Sequence, residues 1–106
     1  MDARRKKRLE AAGWTFGSAQ DFLGLSDEET TLIDMHIALS VALRDRRRAS
    51  RVTQGALAKR IGSSQSRVAK MEAGDPSVSF ELLIRGLLAL GATPRQVGLA
   101  LSRRAA

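Results

Sequence analysis

Between Thr53 and Gly74 the apolar positions fall into two short stripes at helical spacing, separated by one polar break. Leu57, Ala58 and Ile61 form the first stripe. Thr53 can cap that helix, because its hydroxyl accepts an N–H of the first turn that has no helical partner. Val52 and Leu57 occupy hydrophobic-staple positions around the cap. Gly62 ends the helix, where a residue of positive φ is usually needed. Ser64 then caps a second helix, Gln65 to Ala73, and Gly74 closes it. On a wheel of about 100° per residue, Val68 and Met71 point towards the first helix. Ser66, Ala69 and Lys70 lie opposite, flanked by Gln65 and Arg67, and Glu72 sits beside the buried side.

The flanking pattern is helical throughout. Asp2 to Ala12 predicts a short basic helix ending at Gly13, and Ser18 a helical turn through Leu23. Ser26 and Glu29 make a capping box, and no Gly or Pro interrupts the chain from there to Arg51, so one long helix is expected over Asp27 to Ala49. Leu32, Ile33, Met35, Ile37, Leu39, Val41 and Leu43 form its broad apolar stripe. Asp75, Pro76 and Ser77 predict a turn. Ser79 caps a helix over Phe80 to Leu90, with Val78 and Leu83 as staple and Phe80, Leu83, Ile84, Leu87 and Leu88 as core. Gly86 inside that helix is unfavourable by about 1 kcal/mol against alanine, which points to close packing. Gly91 stops it. Thr93, Pro94 and Gln96 start a last helix with Val97, Ala100 and Leu101 on one side, fraying over residues 102–104.

Composition narrows the class. Aromatics are only 4% of a chain whose apolar share is 43%, so the core rests on Leu, Ile, Val and Ala. That mixture favours helices over a sheet. No cysteine is present, which excludes disulfides and thiolate chemistry. No apolar run approaches the roughly 20 residues of a membrane span. The basic N-terminus lacks the apolar centre of a signal peptide. A cytoplasmic location on the nucleoid follows as the expectation. His36 is the lone histidine and lies in an apolar-rich helix, so it reads as a packed or surface residue rather than a base. With no metal constellation and no Gly-rich phosphate loop, neither enzyme activity nor a cofactor is expected. Asp27, Glu28 and Glu29 are helix-start charges.

The net charge of +7 matters through its placement. Arg4, Arg5, Lys6, Lys7 and Arg8 form one block. Arg44, Arg46, Arg47, Arg48 and Arg51 form another just before the motif, and Lys59, Arg60, Arg67 and Lys70 lie inside it. Basic surface around a groove-reading helix is an electrostatic footprint for phosphate. The outer face of the second helix has the matching chemistry. Gln bonds adenine bidentately, Arg and Lys suit guanine, and Ser reads bases or binds phosphate. The bland reading is a helical hairpin with a solvated polar face. Clustering of cations beside the motif favours double-stranded DNA. Trp14, Phe16 and Phe22 either anchor the N-terminal arm to the body or form a docking patch for a partner protein.

The run TQGALAKRIGSSQSRVAKMEAG, continuing through SFELLIRGLLALG, resembles the lambda-repressor-like (XRE-type) helix-turn-helix DNA-binding family over about Ile37 to Val97. The likeness implies an all-α, five-helix domain that binds operator DNA, usually as a homodimer. A weaker likeness is to HigA-type antitoxins. Carried over by position, Gln54 and Ser63 would contact phosphate, with Ser64, Gln65, Ser66, Arg67 and Lys70 at the DNA beside them. Arg47 would pair with Glu72 and fix one helix against another. Family members often pair near the chain end, where Leu87, Val97 and Leu101 would form the interface. Leu32, Ile33 and Met35 are a rival surface, and all the chain-end residues could instead cap the core. The sequence departs from the family at Arg46, often apolar there, and at Arg51, often glycine.

The organisation expected is a short helical basic N-terminal extension, residues 1–25, and a helix-turn-helix domain, residues 26–106. The function expected is transcriptional regulation, as a repressor on a palindromic operator. The alternatives are an antitoxin holding a toxin through residues 1–36, and a nonspecific nucleoid-associated DNA binder.

Overall fold

The computed structural model describes residues 23–105, with side chains described for residues 23–102. The expected basic helix, Trp14, Phe16, Phe22 and the cationic block at residues 4–8 lie outside the described residues. Helix α1 spans Asp27–Ala49, α2 Gln54–Arg60, α3 Gln65–Glu72, α4 Phe80–Ala89 and α5 Pro94–Ala105. No strand occurs among the described residues.

Local chemistry fixes the helix starts. The Ser26, Thr53, Ser64 and Ser79 hydroxyls each accept a backbone N–H three residues on, at 3.0–3.2 Å. At α5 the capping box is reciprocal. Gln96 N donates to Thr93 Oγ1 at 3.2 Å, and Thr93 N donates to Gln96 Oε1 at 2.9 Å. Ser77 N donates to Asp75 Oδ1 at 2.9 Å, which shapes the turn before α4.

α1 is the spine. It packs against α3, α4 and α5, while α2 rests on α3 and α4. Leu39, Leu43, Leu57, Val68, Met71 and Leu83 are fully buried where these helices meet. Gly86 lets α4 approach. A Cβ there would stand 2.9 Å from Leu43 Cδ1 and 3.2 Å from Met71 Cε. His36 fastens the loop before α4 to α1. Its Nε2 donates to Val78 O at 2.7 Å, and its ring meets Phe80 edge-on at 5.4 Å.

Some expectations need correction. Leu88 is 49% exposed and does not fill the core. The core side of α4 carries Leu83, Gly86 and Leu87, and Leu88 is turned about 100° away from Leu87. Leu87 is buried as expected of the core side of α4, and Val97 is buried with it, so of the two readings offered for these residues their burial fits the protomer's own core rather than a surface between copies. Leu101 is half-buried against that core. The last helix does not fray at Ser102, whose hydroxyl donates to Gly98 O at 2.9 Å, and it continues to Ala105.

Candidate nucleic-acid interface

α2 and α3 are joined by a turn whose shape the backbone hydrogen bonds define. Ser63 N donates to Ala58 O at 2.8 Å and Gly62 N to Lys59 O at 3.3 Å. This is the Schellman closure of a helix, which requires a left-handed residue at its centre. Gly62, at φ +65°, supplies it. The next residue but one, Ser64, caps α3, so one helix stops and the next starts within four residues.

α3 has two distinct sides. Val68, Met71 and Glu72 are buried, whereas Gln65, Ser66, Arg67 and Lys70 are exposed. Ser64 is exposed, but its Oγ is engaged by Arg67 N at 3.2 Å and lies 3.2 Å from Ser66 Oγ. Ser63 is half-buried in the turn.

A polar chain runs from the buried side to the exposed side. Arg47 grips Glu72 with two donors, Nη2 to Oε1 at 2.9 Å and Nε to Oε2. Arg47 Nη1 also donates to Val52 O at 3.0 Å, tying the end of α1 to the approach of α2. Gln54 Nε2 donates to Glu72 Oε1 at 3.1 Å. An ionised carboxylate only accepts, so Gln54 turns its amide NH2 inward and its carbonyl outward. The outward Oε1 receives Gln65 Nε2 at 2.8 Å. Gln65, at the first position of α3, is thereby held by a relay that begins on α1.

Burial pushes the Glu72 carboxyl up. The hydrogen bonds from Arg47 and Gln54, with the charges of Arg47 and Arg48, outweigh it and hold Glu72 below the usual carboxylate range. The hydrogen bond to Glu72 raises Arg47 against the opposing effect of burial. Side-chain exposures are 13% for Arg47 and 5% for Glu72, so water competes little for either charge.

Two arginines near the motif also bind the fold itself. Arg46 Nε donates to Leu90 O at 3.1 Å and Arg60 Nη1 to Ala89 O at 3.3 Å, both at the C-terminal end of α4. Carbonyls there have no helical donor and carry the negative end of the dipole. Residue spacing does not reveal these contacts, which join positions 44 and 29 apart in sequence. Arg48, Arg51, Lys59, Arg60, Arg67 and Lys70 are exposed, whereas Arg46 is half-buried. Among the described residues no group of His, Asp or Glu is placed to hold a metal, and no helix is long and apolar enough to cross a membrane.

Two short helices joined by a glycine turn, the second buried on one side and polar on the other, define a helix-turn-helix module, a DNA-binding architecture. A family model described as a helix-turn-helix domain matches residues 38–100, more than half of the chain, and the protein belongs to that family. The all-α, five-helix arrangement fits the lambda-repressor-like form of the fold. No curated protein and no solved structure matches the chain.

Proposed function

We propose that the protein is a sequence-specific transcriptional regulator that represses by occupying an operator and blocking polymerase. The observation that carries this reading is the held geometry of α3. Its inner side is fixed by Met71, Val68 and the Arg47–Glu72–Gln54 relay, and its outer side presents Gln65, Ser66, Arg67 and Lys70 without a carboxylate. A helix held in this way can bring its outer side chains to base edges in the major groove without ordering its own backbone on binding. Gln54 and Ser63 lie at the start of α2 and in the turn, where backbone phosphates would flank the inserted helix.

Such a module covers one half-site, so high specificity calls for two copies on a palindrome about one helical turn apart. Near the chain end the exposed apolar residues are Leu88 and Leu99, at 49% and 44%, and these, with half-buried Leu101, offer the pairing surface in place of Leu87 and Val97. A second reading, an antitoxin that also grips a toxin, draws on exposed Leu32 and Ile33 on the first half of α1.

Selection of bound duplexes from a random pool, followed by sequencing, tests the main reading. A palindromic consensus is the expected result. Binding that tracks salt and returns no preferred sequence would make the protein a nonspecific DNA binder instead.

A further inference from the structure

Four helices of this chain end in the same hydrogen-bonded closure. After α2, Ser63 N reaches Ala58 O and Gly62 N reaches Lys59 O; after α3, Asp75 N reaches Lys70 O and Gly74 N reaches Met71 O. After α4, Ala92 N reaches Leu87 O and Gly91 N reaches Leu88 O. After α1, Val52 N reaches Arg47 O at 3.1 Å and Arg51 N reaches Arg48 O at 3.0 Å. The central residue is left-handed in every case, and it is glycine at 62, 74 and 91. At the end of α1 it is Arg51, at φ +57°, the sole non-glycine residue of positive φ among the described residues. A side chain in that conformation strains the backbone, and glycine would close the helix without strain.

Nothing among the described residues repays that strain. Arg51 is exposed, and among the described residues its guanidinium makes no hydrogen bond or ion pair. The α1 dipole does not require it either, because Arg46, Arg47 and Arg48 already stand in the last turn. Its position explains more. Arg51 lies three residues before Gln54, whose carbonyl holds Gln65 at the first position of α3. Arg51 thus sits in the short segment that leads into α2, the helix whose first residue holds the start of α3. The major groove is about 12 Å wide and edged by phosphates. We infer that Arg51 is a DNA-backbone contact, binding a phosphate at the rim of the half-site and adding affinity without sequence preference. The inference rests on the proposed role of α3.

The test compares wild type, Arg51→Gly and Arg51→Lys in thermal melts and in salt titrations on selected and random duplexes. Arg51→Gly is expected to melt about 2–5 °C higher, as relief of strain outweighs the added freedom of the unfolded chain. Its affinity should fall by a similar factor on both duplexes. Its salt slope should be shallower by about 0.9, so that a rise from 50 to 200 mM salt weakens it about 3.5-fold less than wild type. Arg51→Lys should keep the wild-type slope. An Arg51→Gly chain with wild-type affinity and slope overturns the assignment, and so does one that melts lower than wild type. Wild type that binds no duplex defeats the underlying reading of α3, a result distinct from wild type and Arg51→Gly binding alike.

Discussion

The inner and outer sides of α3 share eight residues and one backbone, yet the fold treats them differently. On the inner side Val68 and Met71 are fully buried and Glu72 is held by Arg47 and Gln54. On the outer side Gln65, Ser66, Arg67 and Lys70 face solvent, and only Gln65 and Ser66 have side-chain partners there. Stability should therefore respond to inner substitutions and recognition to outer ones. That separation lets a groove-reading helix change its outer residues without cost to its scaffold. Gln65 is the one point where the sides communicate, through Gln54.

The largest effect is expected at Glu72. Glu72→Ala leaves Arg47 mostly buried without its counter-charge and should lower unfolding free energy by about 3 kcal/mol. Denaturant melts measure it. Wild-type stability with a loss of DNA affinity would mean that Glu72 belongs to the outer side, and the comparison would break.

Acid sharpens the same point. Glu72 is held below the usual glutamate range. Its contribution is thus present above the unfolded-state value of about 4.3 and is lost as pH falls through the lower folded value. Asp75, also held low, chiefly by the Ser77 backbone N–H, loses its contribution further into acid, below the aspartate value of about 3.9. The informative quantity is therefore the stability gap between wild type and Glu72→Gln. It should be widest above about pH 4.3 and narrow in stronger acid. A gap that stays constant to low pH would remove the ionised carboxylate from the account.

Two glycines probe the packing behind α3 with a smaller expected effect. Gly86→Ala gains helix propensity but drives a methyl into Leu43 and Met71, both fully buried, and should destabilise by about 1 kcal/mol net. Gly98→Ala in α5 meets nothing within 4 Å and should stabilise by about 0.5–1 kcal/mol. Equal melting shifts for the two would mean that α4 is not closely seated on α1 and α3.

Much of this scaffold was legible in the sequence because its signals are local. Ser26, Thr53, Ser64, Ser79 and Thr93 each announce a helix within three residues, and the boundaries of α1 fall where the uninterrupted run between Ser26 and Arg51 puts them. Gly86 was legible as a close approach because it stands in a helix that would otherwise favour alanine. The sequence could not show which apolar residues of α4 and α5 face inward. Leu87, Leu88 and Val97 have similar side chains, and only tertiary packing separates buried Leu87 and Val97 from exposed Leu88. Nor could spacing show that Arg46 and Arg60 reach the carbonyls of Leu90 and Ala89, or that Gln54 links Glu72 to Gln65. A glycine at 51 would have been the local expectation. The family resemblance marked Arg51 as a departure from glycine, and the three glycine closures that share its geometry show why that position is left-handed.

On the proposed function Arg67 and Lys70, on the outer side of α3 and without side-chain partners among the described residues, serve recognition rather than the fold. That claim is tested most directly at Arg67, exposed on that side, by measuring the ratio of affinities for the selected duplex and random DNA together with the melting temperature. Arg67→Ala should melt with wild type and lose about 1–3 kcal/mol of discrimination, relaxing one base position. An unchanged ratio of selected to random binding in a fully folded Arg67→Ala chain would contradict it.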